Sequence, residues 1–298
     1  MKTVSVIIPT YKNRGALRAS IESVLSQDYP NLVEVIVVDD NDPQAEYRKQ
    51  TANIMSEYAS NSRVKYICHE ANKNGAAARN TGIMASKGDY IAFLDDDDLF
   101  LEHKIKEQVA YLDANLDKAA VYCHAKRNGK IVSSDIIEGN GSRDILLLQS
   151  NFFTPSLMFR KESLMAIHGF DESFRRHQDY ELLLRFFAAG YKIGCVPKVL
   201  IEIGLNQGEN IPTGDKVNKL KEYFFEKFHG FIEREDSITP GFANKVYAKH
   251  YASVFLNHIK HLHILMALKI FIKYFIKSPK VFTRVVSHSL FIHFKGEV

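Results

Sequence analysis

Four consecutive aspartates, Asp95 to Asp98, follow the apolar run Tyr90-Ile91-Ala92-Phe93-Leu94. Four adjacent carboxylates repel one another strongly unless a cation or positive donors sit among them. A divalent ion of the Mg²⁺ or Mn²⁺ class meets that need, because it takes hard oxygen ligands and shares its shell with phosphate oxygens. The plainer alternative is an acidic loop in which Asp98 caps a helix starting at Leu99-Phe100-Leu101. Four acids directly after an apolar run favour the metal. Two further acidic positions carry chemistry of the same kind. Asp39-Asp40 closes the run Val33–Val38, and an ionised carboxylate there is purely an acceptor, suited to a base that presents an N–H. His177-Gln178-Asp179-Tyr180-Glu181 opens a helical stretch. An acid at a helix start is held in the ionised form that a general base requires, although the same position also suits a simple cap.

The elements that must position these residues follow from apolar periodicity. Val4–Ile8, Val33–Val38, Val64–Cys68 and Tyr90–Leu94 are short apolar runs of strand type. Between them, Ala16–Ser26, Gln44–Tyr58 and Ala76–Ser86 have helical spacing. Alternation of this kind predicts an α/β domain, a parallel sheet with helices on both faces. Ligands of such sheets bind beyond the carboxyl ends of the strands. Pro9-Thr10-Tyr11, Asp39-Asp40 and the aspartate run all fall at those ends. Beyond Leu101 the pattern is less regular. A helix is expected over Lys104–Asn115 and strands over Ala120–His124, Lys130–Val132 and Pro155–Phe159. Helices are expected over Lys161–His168 and Asp179–Ala189, and two strands over Tyr191–Val196 and Val199–Ile203. Residues 206–214 read as a polar linker, and everything after it as helical.

Five motifs in fixed order carry a resemblance. They are Val4-Ser5-Val6-Ile7-Ile8-Pro9-Thr10-Tyr11, Val37-Val38-Asp39-Asp40, Asn74-Gly75-Ala76-Ala77-Ala78-Arg79-Asn80-Thr81-Gly82-Ile83, Gly88–Asp98, and Arg176-His177-Gln178-Asp179-Tyr180-Glu181. From about Thr3 to Ile203 the chain resembles the inverting GT-A fold glycosyltransferases of family 2, of the type that builds bacterial surface polysaccharides. The resemblance implies a Rossmann-like, mostly parallel sheet with flanking helices over 1–205. Its nucleotide-sugar half is about 1–101 and its acceptor half about 102–205, and a helical region follows over 206–298. It implies a donor nucleotide sugar, a UDP-sugar, and as acceptor a hydroxyl of a glycan or lipid-linked glycan. It implies Mn²⁺ or Mg²⁺ as cofactor. By the same resemblance Pro9, Thr10 and Tyr11 hold the nucleotide and Asp40 accepts the uracil N3–H. Asp95 takes the ribose or a metal-bound water and Asp97 ligates the metal, with Asp96 and Asp98 as alternates because the fourfold run leaves the register open by one. Arg79 reaches the diphosphate or pairs within the acidic cluster. His177 contacts diphosphate or acceptor, or is an ordinary surface histidine. Asp179 is the general base.

The 298 residues carry a net charge of +4 that is unevenly placed. From Ser237 onward nine Lys/Arg stand against the single acid Glu297, a tail of +8 on a body of −4. Within the tail, Leu262–Ile276 is apolar over most of its circumference, with Lys269, Lys273 and Lys277 forming one basic stripe. It is too short of uncharged residues to span a bilayer. It fits either an interfacial helix on anionic lipid, a peripheral membrane contact, or a helix packed on protein, including a homodimer partner. Three scattered cysteines without CxxC spacing and an N-terminus lacking a secretory pattern point to a reducing, cytoplasmic setting, with the inner face of the cytoplasmic membrane as the peripheral site. No nucleic-acid motif is present. Three rivals stand at this level. One is a phosphoacceptor signalling module, which also gathers acids after an early strand but gives no use to Asp95–Asp98. The second is a nucleotidyltransferase that makes sugar nucleotides, which wants a glycine-rich basic loop after the first strand, and Lys12-Asn13-Arg14-Gly15 is a poor match. The third is a catalytically silent glycan-binding or scaffold relative, disfavoured because every expected acid is present.

Overall fold

A computed structural model of the chain describes residues 2–13, 15–132, 136–150, 152–204 and 215–294. Chain contacts divide it into two compact units, one of Met1–Ser142 with Ser150–Gln207 and one of Arg143–Gln149 with Gly208–Val298. The expected linker over 206–214 lies outside the described residues.

In the first unit the elements run β1 (Val4–Thr10), α1 (Leu17–Leu25), β2 (Leu32–Asp39), α2 (Glu46–Ser56), β3 (Val64–Cys68), α3 (Gly75–Ala85), β4 (Tyr90–Phe93) and β5 (Leu99–Phe100). They continue as α4 (Lys104–Ala114), β6 (Ala120–Arg127), β7 (Lys130–Ile131), α5 (Ser142–Leu146), which from Arg143 onward belongs to the second unit, then β8 (Met158–Arg160), α6 (Lys161–Ala166), α7 (Gln178–Ala188) and β9 (Ile193–Glu202). One mixed sheet collects all nine strands in the order β3-β2-β1-β4-β8-β6-β9-β5, with β7 on β6. The β3-β2-β1-β4 portion is wholly parallel, as the strand–helix alternation predicts. β8 then joins β4 and β6 by antiparallel pairing, so a second half is grafted onto the first without breaking the sheet.

The central strands are apolar on both faces because helices cover both. Val4, Val6, Ile7, Ile8 and Val35 to Val38 are fully buried. α1 buries Leu17, Ile21 and Val24, one helical stripe, against that sheet. α3 carries no large apolar stripe in its first half. Its buried face is Ala76, Ala77, Ala78 and Gly82, and these small residues let its backbone lie close on β1. A methyl group at Gly82 would fall inside the van der Waals shell of Ile7 Cγ2 and 3.0 Å from Cγ1.

The structure departs from the expected elements where local chemistry overrides periodicity. Leu99–Phe100 is not a helix start but a short strand paired with β9, so Asp98 is no helix cap. The two strands expected over 191–203 are one strand, β9. Its register with β6 slips around His124, opposite the segment Val196–Val199. Pro197 falls there, where a missing N–H is tolerated because the ladder is already interrupted. Thr154–Ser156 is a 3₁₀ turn, with Pro155 supplying its fixed φ, and the strand starts only at Met158.

The second unit consists of α8 (Asp215–Ile238), α9 (Phe242–Lys260), α10 (Ile264–Ile270), a π-helical turn over Phe271–Phe275 and α11 (Pro279–Phe294). α9 is its spine. Ala248, Ala252 and Val254 pack with Ile270, Tyr274 and Phe282, and the Tyr251 and Tyr274 rings stack at 3.7 Å. Buried His250 donates from Nε2 to the Leu146 carbonyl at 2.9 Å, and Arg143 pairs with Glu235 at 2.8 Å, which ties residues 143–149 to these helices. No helix among the described residues is long and apolar enough to cross a membrane.

The close seat of α3 on β1 is testable. Gly82→Ala overpacks a rigid site and is expected to lower unfolding stability in urea by about 1–3 kcal/mol. In an Ile7→Ala background, which vacates the space, the same substitution should cost far less, a non-additivity that a double-mutant cycle measures.

Candidate functional site

A cleft of about 460 Å³ opens at the carboxyl ends of β1, β2 and β4. Of the residues singled out from the sequence, Pro9, Thr10, Tyr11, Asp40, Arg79, Asp95, Asp96 and Asp97 line it. Asp179 and His177 do not. They lie at the start of α7, flanking Gln178, which does line the cleft.

The four aspartates are dispersed to four different environments. Asp95 Oδ1 receives Arg79 Nη2 at 2.6 Å, a charge-assisted bond. Asp96 Oδ2 receives the Thr10 hydroxyl at 2.5 Å, and Asn13 Nδ2 donates to the Asp96 carbonyl at 2.9 Å. Asp98 is 2% exposed and receives the Gly204 N–H at 2.7 Å. Asp97 alone in the run accepts no hydrogen bond from another residue's side chain or backbone among the described residues, and it faces the cleft. Burial, with repulsion from neighbouring carboxylates, works against ionisation at Asp96, Asp97 and Asp98. It pushes Asp96 up to about 6 and Asp98 up to about 8, and raises Asp97 above the usual carboxylate range. Positive charge in the cleft would relieve that repulsion.

The loop before α3 is held by Asp40. Its Oδ1 receives His69 Nδ1 at 2.7 Å and the Lys73 N–H at 2.9 Å, and its Oδ2 receives Asn72 Nδ2 at 2.8 Å and the Asn74 N–H at 2.9 Å. Four donors use up the acceptor directions of a carboxylate. A base N–H would therefore have to share or displace one of them. Asp39 is fully buried and structural. It accepts from the Asn41 backbone and side chain and from Tyr66, and pairs with Arg48 Nε at 3.3 Å. Asn74, at φ 109°, caps α3 by accepting the Ala76 and Ala77 N–H groups. The α3 N-terminus, with Gly75 and Ala78 on the cleft wall, thus faces the same space as the aspartates. A helix N-terminus supplies partial positive charge and free N–H groups.

Arg79 links this floor to α7. Besides Asp95, its guanidinium donates from Nη1 to Gln178 Oε1 at 2.9 Å and lies over the Phe170 ring. The pairing within the acidic cluster is thus realised, and Arg79 also lines the cleft. Asp179, next to Gln178, accepts the Tyr180 N–H at 2.9 Å. Burial raises its carboxyl to about 6, while the Arg79 charge opposes that rise. Glu181, the neighbouring acid, is 4% exposed and tied to Arg185, which also donates to the Ile167 and Gly169 carbonyls. It braces α7 and is not available as a base. His177 adopts a left-handed conformation at φ 57° and stacks on Tyr180 with ring centroids 5.3 Å apart.

Several cleft residues were not foreseen: Asn72, Lys73, Asn74, Gly75, Arg175 and Gln178. The Asn-Gly pair before a helical run is the local signal that could have pointed to Asn74 and Gly75, as an N-cap. Gly204 is a further surprise. It crosses the aspartate run so closely that a Cβ there would sit 3.0 Å from the Asp97 carbonyl carbon. Among the described residues no three His, Cys, Asp or Glu side chains form a ready-made metal cage. A hard cation that keeps its waters and shares phosphate oxygens needs only one or two protein carboxylates. An open Asp97 beside Asp95 fits that pattern.

Comparison with known proteins agrees with this geometry. A family described as Glycosyl transferase family 2 matches residues 5–182. An uncharacterized glycosyltransferase of Methanocaldococcus jannaschii, MJ1057, is 28% identical over 76% of this chain and 79% of its own length. The amylovoran biosynthesis glycosyltransferase AmsB of Erwinia amylovora is 29% identical over 66% of this chain and 67% of its own. Among solved structures, residues 1–349 of S. aureus TarS in complex with UDP-GlcNAc share the fold, with a TM-score of 0.59, 19% identity, and coverage of 84% of this chain and 80% of that one. The match spans every strand-end motif that lines the cleft, and the chain belongs to glycosyl transferase family 2.

Proposed function

We propose that this chain is a metal-dependent, inverting glycosyltransferase that moves a sugar from a UDP-sugar to a hydroxyl of a glycan or lipid-linked glycan during polysaccharide synthesis. The observation that carries the reading is the open Asp97 carboxylate, in a run whose other members are already bonded, facing the cleft that Gln178 joins to Asp179. The TarS structure with UDP-GlcNAc supports a UDP-sugar donor, and the relative named for amylovoran biosynthesis supports a polysaccharide product.

In this reading Tyr11, 44% exposed at the mouth of the cleft, offers a ring face to the base, and Asp40 shapes the base slot by holding Asn72, Lys73 and Asn74. The α3 N-terminus and Arg79 face the diphosphate. Asp97, with Asp95 beside it, would hold Mn²⁺ or Mg²⁺, which when bound neutralises charge on the departing diphosphate. Asp179 takes the proton of the acceptor hydroxyl. That oxygen forms the new bond to the anomeric carbon from the face opposite the diphosphate, and the old bond's electron pair leaves with the nucleoside diphosphate. The Tyr180 N–H and the Arg79 charge favour the ionised form of Asp179 against burial, while Gln178 ties the start of α7 to Arg79.

Two outcomes test this reading. Asp97→Asn should remove the Mn²⁺-dependent part of UDP binding in calorimetry without lowering the melting temperature. Asp98→Asn, whose carbonyl oxygen can still accept the Gly204 N–H, should keep it. Equal losses in both variants would refute the assignment of the metal to Asp97.

For chemistry, Asp179→Asn should retain donor affinity while transfer falls by about 10²–10⁴-fold, the usual share of general-base catalysis. Only ionised Asp179 can accept a proton, and its carboxyl is raised to about 6. The wild-type transfer rate should therefore climb as pH rises through about 6 and then level, and the residual rate of Asp179→Asn should lack that limb. An unchanged rate in the variant would leave Asp179 as nothing more than part of the α7 start.

A further inference from the structure

The helical unit carries an exposed apolar surface of its own. Half of the exposed large apolar side chains among the described residues fall within residues 259–276. α10 and the π-helical turn have three faces rather than two. Ala267, Ile270 and Tyr274 are buried against α9. On the opposite side Ile264, Leu268, Ile272 and Ile276 follow one another at intervals of four with Leu265 beside them. Leu265 and Ile276 are 80% and 73% exposed. Between the two faces run Lys269, Lys273 and Lys277, the last two with their ammonium groups 5.2 and 4.9 Å from the Tyr274 and Tyr247 rings. In an α-helix a four-residue spacing drifts forward around the axis. The π turn over Phe271–Phe275 has more residues per turn and works against that drift.

We propose that this face docks on an anionic lipid bilayer, with the apolar row at the acyl boundary and the lysine row among the headgroup phosphates. Charge identifies the occupant. From Ser237 to Phe294 the sequence contains no acidic residue, and Lys269, Lys273 and Lys277 form no ion pair among the described residues. A clustered apolar patch rimmed by unpaired cations marks an interaction surface, not scattered exposure. An isologous contact with a second copy would bring two such lysine rows together with no carboxylate between them. Anionic lipid supplies both an apolar phase and the missing negative charge. The proposal rests on the helical unit alone, so it stands or falls independently of the donor site.

The chain has no tryptophan, which makes Ile272→Trp, at an exposed position, a clean reporter. The full-length variant should show a blue-shifted emission with vesicles of phosphatidylcholine containing 30 mol% phosphatidylglycerol, a system in which that fraction is set by the experimenter. The shift should be weaker on phosphatidylcholine alone and should fade as salt rises. In vesicle flotation, Lys269→Gln, Lys273→Gln and Lys277→Gln combined should reduce partitioning on the order of 100-fold, about fivefold per charge. Leu265→Ser with Leu268→Ser should also reduce it, and circular dichroism should show the helices intact in every variant. Absence of any vesicle-dependent shift would overturn the proposal, as would partitioning indifferent to the lysines. A blue shift that grows with protein concentration without vesicles, accompanied by dimers in sedimentation, would overturn it in favour of a second copy.

Discussion

Carboxylates at neighbouring positions repel, and a buried strand end that carries four of them must find each one a different counterpart before the rest of the domain can close over it. The counterparts come from far apart in sequence: Thr10 from the end of β1, Arg79 from α3 and Gly204 from beyond β9. The sheet order follows the same demand. β1 lies beside β4, so Thr10 reaches Asp96, and β9 pairs with β5, so the Gly204 backbone passes over the run. Asp95, Asp96 and Asp98 thereby find partners within the protein, while Asp97 faces the cleft. The proposed divalent cation, bound there, would relieve the repulsion that disfavours ionisation at Asp96, Asp97 and Asp98.

Arg79 transmits this arrangement to the second half of the domain. One guanidinium joins Asp95 on the floor to Gln178 on α7, and its planar fork lets the two bonds form at once without strain. α7 is braced independently at its other side, where Arg185 clamps Glu181 and the carbonyls of Ile167 and Gly169. Asp179 therefore sits between two fixed points, close enough to feel both the Arg79 cation and the Asp95 anion. If Asp179 serves as the proposed base, this bracing would supply the preorganisation that proton transfer rewards.

Much of this was legible before any coordinates. The parallel β1–β4 core, the three helices on it, and the gathering of Thr10, Asp40 and Asp95 to Asp97 follow from short apolar runs ending in polar residues, and the family resemblance adds Arg79. What misled was local ambiguity. An aspartate before Leu-Phe-Leu suits a helix cap as well as a strand entry, and only pairing with β9 decides it. The loop Asn72–Asn74 gave little warning because its importance comes from backbone N–H groups that any residue supplies, gathered by a buried Asp40 whose donors lie some thirty positions away. Glu181, two residues after Asp179, is a second acid that the sequence places on another side of the same helix start. Arg185, one helical turn after Glu181, takes that carboxylate and leaves the other.

By itself the sequence determined the fold class and the strand-end residues Pro9 to Tyr11, Asp40 and Asp95 to Asp97 of the cleft, because apolar periodicity and strand-end chemistry are local properties, and its ordered motifs pointed to the family. The tertiary structure alone decided which aspartate stays open, which acid is braced, and that the helix at Leu262–Ile276 has an apolar face left in solvent. Those outcomes depend on donors and packing partners brought together from distant segments, and on a π turn that sets how side chains align around an axis. A linear pattern can state that a carboxylate exists, but only the surrounding donors fix whether it is free to act.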